Sequence, residues 1–183
     1  ALPVSEAEEL DRILPVIEVV RERKDVLISV DTTKAELAAA AIAEGAHIIN
    51  DISAGRFDPD ILSLVSRTGA GLVLMHMAGT PATMQQDPHY EDVAREVREH
   101  LAARLEAARA AGVPAERVVL DPGIGFGKTV RHNFELLARL GEVEASLEHR
   151  EQARAAYTGA LSLDGDYLPA LIFLARDALA AGE

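Results

Sequence analysis

Four positions along the chain carry side chains that could hold a planar ligand rich in nitrogen. Each stands at the end of a short apolar run: Asp31 after VLISV, Asn50 with Asp51 after HII, Met75 with His76 in GLVLMH, and Asp121 in RVVLD. Carboxylates accept hydrogen bonds, an amide both donates and accepts, and a thioether offers a soft apolar surface. The set therefore suits a flat ring that carries several N–H donors.

The same residue types have a structural explanation. Asp and Asn directly after a strand commonly cap the helix that follows. At any single position the cap is the better explanation, whereas four successive strand ends with such residues are harder to explain by capping alone. Both interpretations stay open at this point.

A glycine-rich segment, DPGIGFGKT, follows the fourth apolar run and has the composition of a phosphate loop. The Walker pattern requires a glycine five residues before the glycine of Gly-Lys-Thr, and Pro122 occupies that position, so the match fails. The three glycines could still let backbone N–H groups approach an anion ahead of a helix. Lys128 either adds positive charge there or is a solvated surface lysine.

The sequence gives little support for a metal site or for a catalytic nucleophile. The chain has six histidines and no cysteine, and no histidine pairs with another at a metal-ligand spacing. No Ser or Thr lies in a nucleophile elbow. The residues therefore predict no metal site, no resident cofactor and no hydrolase triad.

The elements that position these residues alternate between strands and helices. A possible capping box, Ser5 with Glu8, opens a helix through Glu22, with a kink or a late start at Pro15. Alternating strands and helices predict parallel pairing, with binding groups beyond the carboxyl ends of the strands. The predicted strands are Val26–Val30, His47–Ile49, Gly71–His76 and Arg117–Asp121, and the helices between them are Thr33–Gly45, Asp58–Gly69 and Tyr90–Ala111. The second helix is expected to begin with a capping box of Thr33 and Glu36.

Composition excludes several classes of partner. Eighteen Lys and Arg against 30 Asp and Glu give a net charge of −12, which opposes binding to nucleic acid or to an anionic membrane surface. No apolar run approaches the roughly 18 residues of a membrane span. The acidic first segment is unlike a signal peptide, so we expect a soluble, cytoplasmic protein.

Three motifs resemble a known family. ISVDTTKAELAAAAIAEGAHIINDIS, LVLMHMAGTPATMQ and VVLDPGIGFGKTVRHN are similar to dihydropteroate synthase and occur in order within about residues 5–133. The resemblance implies an eight-stranded α/β barrel that joins a pterin pyrophosphate to p-aminobenzoate with magnesium. This chain would supply strands three to six, a partial TIM barrel.

The resemblance also implies residue roles. Asp31, Asn50, Met75 and Asp121 would line the pterin pocket, with Asp121 at its base accepting from the guanidine-like edge of the ring. Phe126 would lie in the glycine-rich loop near the p-aminobenzoate side. The family's magnesium-binding Asn loop, its Ser-Arg-Lys segment and its late Arg-x-His pair have no counterpart in the sequence, so we expect neither magnesium nor catalytic residues and lean against an enzyme.

The last fifty residues suggest a second resemblance. Leu140-Gly141, Ala153, Tyr157 and Ala160 fit a 34-residue tetratricopeptide frame that begins at Phe134, although a generic amphipathic helix pair would also explain them. We therefore expect a synthase-like segment over residues 1–133 and a tetratricopeptide-like segment over residues 134–183, sharing one helix at about residues 129–146.

The function expected from these parts is a non-catalytic chimeric or designed scaffold. The alternatives are a residual pterin-binding module, or a transferase of folate biosynthesis if another chain supplies the missing elements. We expect a pterin to bind weakly if at all. A monomer or a homodimer is expected, because an open fragment exposes two sheet edges and an inner face. That face would include Ile28, Ile48, Leu72 and Leu74 or their neighbours.

Overall fold

The structure is a computed structural model that describes residues 4–23 and 25–146. Helices and strands alternate in the predicted order. They are α1 (Glu6–Arg23), β1 (Ser29–Asp31), α2 (Ala35–Glu44), β2 (Ile48–Asp51), α3 (Asp60–Thr68), β3 (Gly71–Met75), α4 (Val93–Ala110), a 3₁₀ helix (Ala115–Arg117), β4 (Val118–Asp121) and α5 (Val130–Ser146).

The described residues fall into two compact units. The first contains those within 1–80 and 100–123 and so includes all four strands, α1, α2, α3 and the end of α4. The second contains those within 81–99 and from 124 onward and so includes the start of α4 and α5. The sheet and its strand ends therefore belong to one unit.

The four strands form one parallel sheet in the order β1-β2-β3-β4. Asp31 is paired with Asn50, Asn50 with Val73, and Val73 with Val119, so these four residues form a row across the sheet. β1 is shorter than predicted: of Val26–Val30 only the last two residues belong to it, and Val26 is exposed. The parallel arrangement itself is confirmed.

The two faces of the sheet differ in burial, because side chains alternate along a strand. One face carries the apolar core, and its members are Val30, Ile49, Leu72, Leu74, Val118 and Leu120. The residues between them, on what we call the open face, are exposed or half-buried, with Val119 at 60% exposure. Of the residues expected on the uncovered face, Leu72 and Leu74 lie on the core face, whereas Ile48 and Val73, the neighbour of both leucines, lie on the open face together with Val119.

Helix α1 begins as the sequence predicts. The backbone N–H of Glu8 donates to Ser5 Oγ at 3.3 Å, which satisfies one of the N–H groups left over at a helix start. Pro15 lies inside a helix that runs from Glu6 to Arg23, so the alternative of a late start was wrong.

Helix α2 begins differently from the prediction. Lys34 occupies the N-cap position without a side-chain cap, and the expected box of Thr33 and Glu36 does not form. The N–H of Ala35 donates instead to Asp58 Oδ2 at 2.7 Å. A residue from the following strand–helix unit therefore caps this helix.

Helix α4 follows its predicted apolar spacing. Val93, Val97, Leu101 and Leu105 are all at most 3% exposed. The helix starts at Val93 because Asp92 caps it, accepting from the N–H of the third helical residue at 2.9 Å. The expected start at Tyr90 was early by one short turn.

Helix α5 closes the described part of the chain and agrees with the helix predicted at about residues 129–146. The tetratricopeptide assignment falls mostly beyond residue 146, outside the described residues. Within the part that the structure describes, no helix is both long and apolar enough to cross a membrane.

Candidate functional site

The four predicted pterin residues lie on the open face of the sheet. Residues that pair directly in parallel strands share a face, as do residues two positions apart along a strand. Asp31 and Asn50 pair at one level, and Met75 pairs with Asp121 two residues further along. That step is about 7 Å along the strand direction. The structure thus brings the four together as two pairs on one face.

Asp31 and Asn50 are joined directly. The amide Nδ2 of Asn50 donates to Oδ1 of Asp31. A carboxylate can only accept, so this contact fixes which end of the amide faces Asp31. The amide oxygen, Oδ1 of Asn50, is shielded from solvent and has no hydrogen-bond partner among the described residues. A buried acceptor without a partner is rare in folded proteins and calls for an explanation.

Asp121 is held by the turn that follows β4. The N–H of Gly123 donates to its Oδ1 at 2.7 Å, and its backbone oxygen accepts from the N–H of His76 at 2.8 Å. Its second carboxylate oxygen, Oδ2, accepts no hydrogen bond from the residues that the structure describes. The carboxylate is therefore oriented and has acceptor capacity to spare.

Gly123 is required for this turn. Its φ is +66°, and a Cβ at this position would lie 2.0 Å from the backbone oxygen of His76. The same Cβ would lie 3.2 Å from Cγ of Met75. Met75 is only 3% exposed, so it packs near this turn and offers little open apolar surface.

The helix-cap explanation does not hold for the strand-end residues. The contacts of Asp31, Asn50 and Asp121 are with each other or with a turn, and none of these side chains caps a helix. The residue that does organise a loop is Asp51, next to Asn50. From the sequence Asp51 was grouped with Asn50 as a possible ligand group, because a buried carboxylate cannot be told from an exposed one in a sequence.

Asp51 is fully buried and holds the loop after β2. Its Oδ1 accepts from the N–H and Oγ of Ser53, both at 2.7 Å, and its Oδ2 accepts from the N–H of Gly55 at 2.6 Å. The loop includes Ala54 at φ 54°, a left-handed conformation that is costly for a residue with a Cβ. These bonds hold the chain directly after Asn50 in one shape.

Two arginines donate hydrogen bonds to backbone oxygens of the same loop. Nε of Arg104 donates to the backbone oxygen of Ala54 at 2.6 Å, and Arg56 donates to the oxygens of Ser53 and Met77 at 3.0 and 2.8 Å. Burial, followed by the charge of Arg56, lowers the pKa of Arg104. The loop after β2 is therefore tied to the loop after β3.

A cavity of about 420 Å³ opens beside Asp31. It is lined by the β1–α2 loop and by residues of α1. Lys34 is one of its walls, but its ammonium is already bound by Glu9 at 3.0 Å and by the backbone oxygen of Val4 at 3.2 Å. The cavity adds space next to Asp31, and the positive charge of Lys34 in its wall is already balanced by Glu9.

Phe126 belongs to the second unit and is half-buried. Lys128, two residues on, is 3% exposed and donates to the backbone oxygen of Phe126 at 2.9 Å, so the expectation of a solvated lysine was wrong. The N–H of Gly125 donates to Asn133 Oδ1 at 2.9 Å and is not available to an anion. The loop is held by the protein's own groups.

The described residues do not fit a protein-held magnesium ion. Among them no group of three or more His, Asp or Glu side chains is arranged to hold a metal. Asp31 and the amide oxygen of Asn50 offer three oxygen atoms at most, which do not form a closed protein cage for an octahedral cation.

The family model that matches the chain is described as "Pterin binding enzyme" and covers residues 1–162. The chain belongs to this family of pterin-binding enzymes. Within it, the chain is similar to dihydropteroate synthases of folate biosynthesis, which confirms the resemblance read from the motifs.

Individual relatives agree. Dihydropteroate synthase of Escherichia coli strain K12 is 46% identical over 142 residues, which cover 78% of this chain and 50% of the relative. The mitochondrial folate synthesis bifunctional protein of Arabidopsis thaliana is 44% identical over 155 residues, 82% of this chain and 28% of that protein. The chain spans about half the length of the curated dihydropteroate synthases it matches.

Solved structures give the same result. The Yersinia pestis dihydropteroate synthase with a sulfonamide drug complex superposes with a TM-score of 0.75 at 43% identity, covering 79% of this chain and 52% of that one. The Stenotrophomonas maltophilia enzyme with bound imidazole gives 0.76 at 39% identity, covering 93% and 69%. The four-stranded parallel sheet with its helices is consistent with part of a TIM barrel.

The family match bears on the predicted junction. It continues to residue 162, past Asn133 where the synthase-like segment was expected to end. The comparisons give no support to a tetratricopeptide-like segment or to a chimeric or designed scaffold.

Proposed function

We propose that this chain supplies the pterin-binding face of a dihydropteroate synthase. The single observation that carries the proposal is the Asp31–Asn50 pair, which leaves the amide oxygen of Asn50 without a donor. We propose that rotation about the soft terminal amide torsion of Asn50 turns that oxygen towards a ligand on the open face. A ring with N–H groups would then satisfy it.

Asp121 fits the same ligand. One oxygen is fixed by Gly123, and the other can accept from a second N–H of the ring. A pterin carries an amino group and ring N–H groups at its periphery, so we propose that it lies across β3, with Asn50 of β2 on one side and Asp121 of β4 on the other. Met75, paired with Asp121 in the sheet, is buried, so we assign it to the packing behind the Asp121 turn and not to an open surface for the ring.

The second substrate in this proposal is inferred from the compounds that are bound to two relatives. The Burkholderia cenocepacia dihydropteroate synthase is complexed with 7,8-dihydropteroate, and the Thermus thermophilus enzyme with 4-aminobenzoate. We assign the pterin to the open face of the sheet and 4-aminobenzoate to the side of Phe126. The reaction proposed for the complete protein is attack of the amine of 4-aminobenzoate on a pterin pyrophosphate: the new C–N bond forms as the C–O bond to pyrophosphate breaks, and pyrophosphate and the amine proton leave.

Calorimetric titration of the chain with a soluble pterin such as pterin-6-carboxylate tests the first part. We expect Asp121→Asn and Asn50→Leu each to weaken pterin binding by about 10- to 100-fold. Each variant removes a hydrogen bond between protein and pterin, and the polar group that remains in the complex then has no partner. Asp25→Asn, which removes an equal charge at an exposed position, is the matched control. If the unmutated chain gives no binding heat, the pterin-binding proposal is wrong and the scaffold interpretation remains.

A further inference from the structure

Three consecutive carbonyl groups in the glycine-rich loop each accept one side-chain donor. Nε2 of Gln85 donates to the oxygen of Gly125 at 2.7 Å, and the hydroxyl of Tyr90 donates to the oxygen of Gly127 at 2.8 Å. The ammonium of Lys128 donates to the oxygen of the residue between them, Phe126, at 2.9 Å. All of these residues belong to the second unit.

Two of these three bonds, from Gln85 and Lys128, fix the peptide planes on either side of Phe126, and the third, from Tyr90, fixes the next plane, after Gly127. The carbonyl of Gly125 lies in the peptide plane before Phe126, and the carbonyl of Phe126 lies in the plane after it. A peptide unit is rigid, so fixing both planes fixes φ and ψ of the residue between them. The Cα–Cβ direction of Phe126 follows from those two angles.

The loop needs such restraints because of its glycines. Gly125 and Gly127 have φ of +87° and +64°, and a Cβ at Gly125 would meet nothing within 4 Å. Crowding therefore does not explain the glycine at position 125, and its conformational freedom would leave Phe126 free to turn. The donors remove that freedom.

The donor residues are themselves held in place. The ring of Tyr90 packs edge to face on His132, with centroids 5.0 Å apart, and His132 exchanges hydrogen bonds with Thr129 at the start of α5. Burial and the nearby charge of Glu96 raise the pKa of Tyr90, so its hydroxyl remains a donor across the physiological range. Gln85, by contrast, is exposed, yet it reaches a carbonyl forty positions away in the sequence.

We propose that Gln85, Tyr90 and Lys128 are positioning residues that hold Phe126 in the orientation required for 4-aminobenzoate. The proposal rests on the proposed function, which assigns Phe126 to that substrate. It gives the segment between β3 and α4 a role in recognising the aromatic carboxylate, although that segment carries no group expected to touch the pterin.

The test compares Tyr90→Phe and Gln85→Leu with a matched control, Gln86→Leu, at the exposed neighbouring glutamine. Affinity for 4-aminobenzoate is measured in the full chain with saturating pterin-6-carboxylate, and affinity for that pterin is measured separately. We expect each of the first two variants to weaken 4-aminobenzoate by about 5- to 10-fold and to leave pterin affinity within about 2-fold, since one neutral hydrogen bond is lost in each. The control should leave both affinities unchanged.

Amide hydrogen exchange over residues 124–129 provides a readout that needs no ligand. We expect exchange in this loop to be several-fold faster in Tyr90→Phe and Gln85→Leu than in Gln86→Leu. Faster exchange without any change in 4-aminobenzoate affinity would mean that these residues have a purely structural role, and it would overturn the proposal. Exchange that is unchanged in both variants would overturn it too, because the donors would then not hold the loop. If the unmutated chain binds no pterin, the proposed function fails, and exchange alone then decides whether these donors hold the loop.

Discussion

The carboxylate of Asp58 accepts a hydrogen bond of 2.7 Å from the backbone N–H of Ala35, which lies 23 positions earlier in the chain. Its other oxygen accepts from the N–H of Asp60 at 3.1 Å. One side chain therefore caps the starts of both α2 and α3. The helices on either side of β2 share a single acceptor group.

Replacing Asp58 with alanine should lower the free energy of unfolding by about 2 kcal/mol, because two helix caps of roughly 1 kcal/mol each are lost. Urea denaturation followed by circular dichroism measures the change. Asp60→Asn, which removes the same charge from the same helix start without removing a cap, should cost much less. Equal losses in the two variants would show that charge, and not capping, is responsible.

The shared cap also shows why this helix start could not be predicted. Thr33 and Glu36 have the spacing of a capping box, and that spacing is a local signal. Asp58 reaches Ala35 only after β1 and β2 have paired, so its contribution depends on tertiary structure. The strands and helices themselves followed from apolar periodicity and were placed within a few residues.

The assignment of the two sheet faces makes a second prediction. Leu74 is fully buried on the core face, whereas Val119 on the open face is 60% exposed. Leu74→Ala should therefore cost about 2–5 kcal/mol in unfolding free energy, and Val119→Ala less than about 1 kcal/mol. Chemical denaturation of both variants checks this. A large loss for Val119→Ala would mean that something covers the open face in solution.

A third prediction concerns Gly123 and Gly125, two glycines of the loop that follows β4. A Cβ at Gly123 would lie 2.0 Å from a backbone oxygen, whereas a Cβ at Gly125 has open space around it. Both have positive φ, so alanine costs about 1–2 kcal/mol at each from conformation alone. Gly123→Ala should cost several kcal/mol in addition, because backbone must move.

The two glycine variants should also differ in binding. Gly123 orients the carboxylate of Asp121 through its N–H, so a shifted turn should abolish pterin binding in Gly123→Ala. Gly125→Ala should retain pterin binding. Thermal unfolding and pterin titration of the two proteins check both expectations, and equal behaviour of the two would contradict the turn's proposed role.

The site could be predicted only in part. The residue types after each strand grouped Asp31, Asn50, Met75 and Asp121 with Asp51 and His76, because parallel strands deliver their carboxyl ends to one edge. The resemblance then assigned the first four to a pterin, and that assignment stays a prediction. The pairing of Asp31 with Asn50 depends on sheet register, which no local pattern specifies. The burial of Asp51 and Lys128 depends on groups distant in sequence, for the same reason as the Asp58 cap.

Asp92 gives the last prediction, which concerns pH. Its pKa is lowered, first by the hydrogen bond from the backbone N–H of Arg95 and then by Arg139, whose guanidinium lies 2.9 Å from its Oδ1. A carboxyl group with a lowered folded-state pKa stabilises the fold above its unfolded pKa of about 3.9, and this stabilisation disappears as pH falls through the folded value.

Asp92→Asn keeps an acceptor for the helix cap but cannot ionise. Its melting temperature should therefore be below that of the unmutated chain at pH 7, and the difference should shrink towards zero as pH falls below about 3.9 and through the lowered folded-state pKa. Arg139→Gln should show a smaller version of the same trend, because the first cause remains. Thermal unfolding of all three proteins at several pH values measures this, and a difference that stays constant with pH would contradict the assignment to the ionised carboxylate.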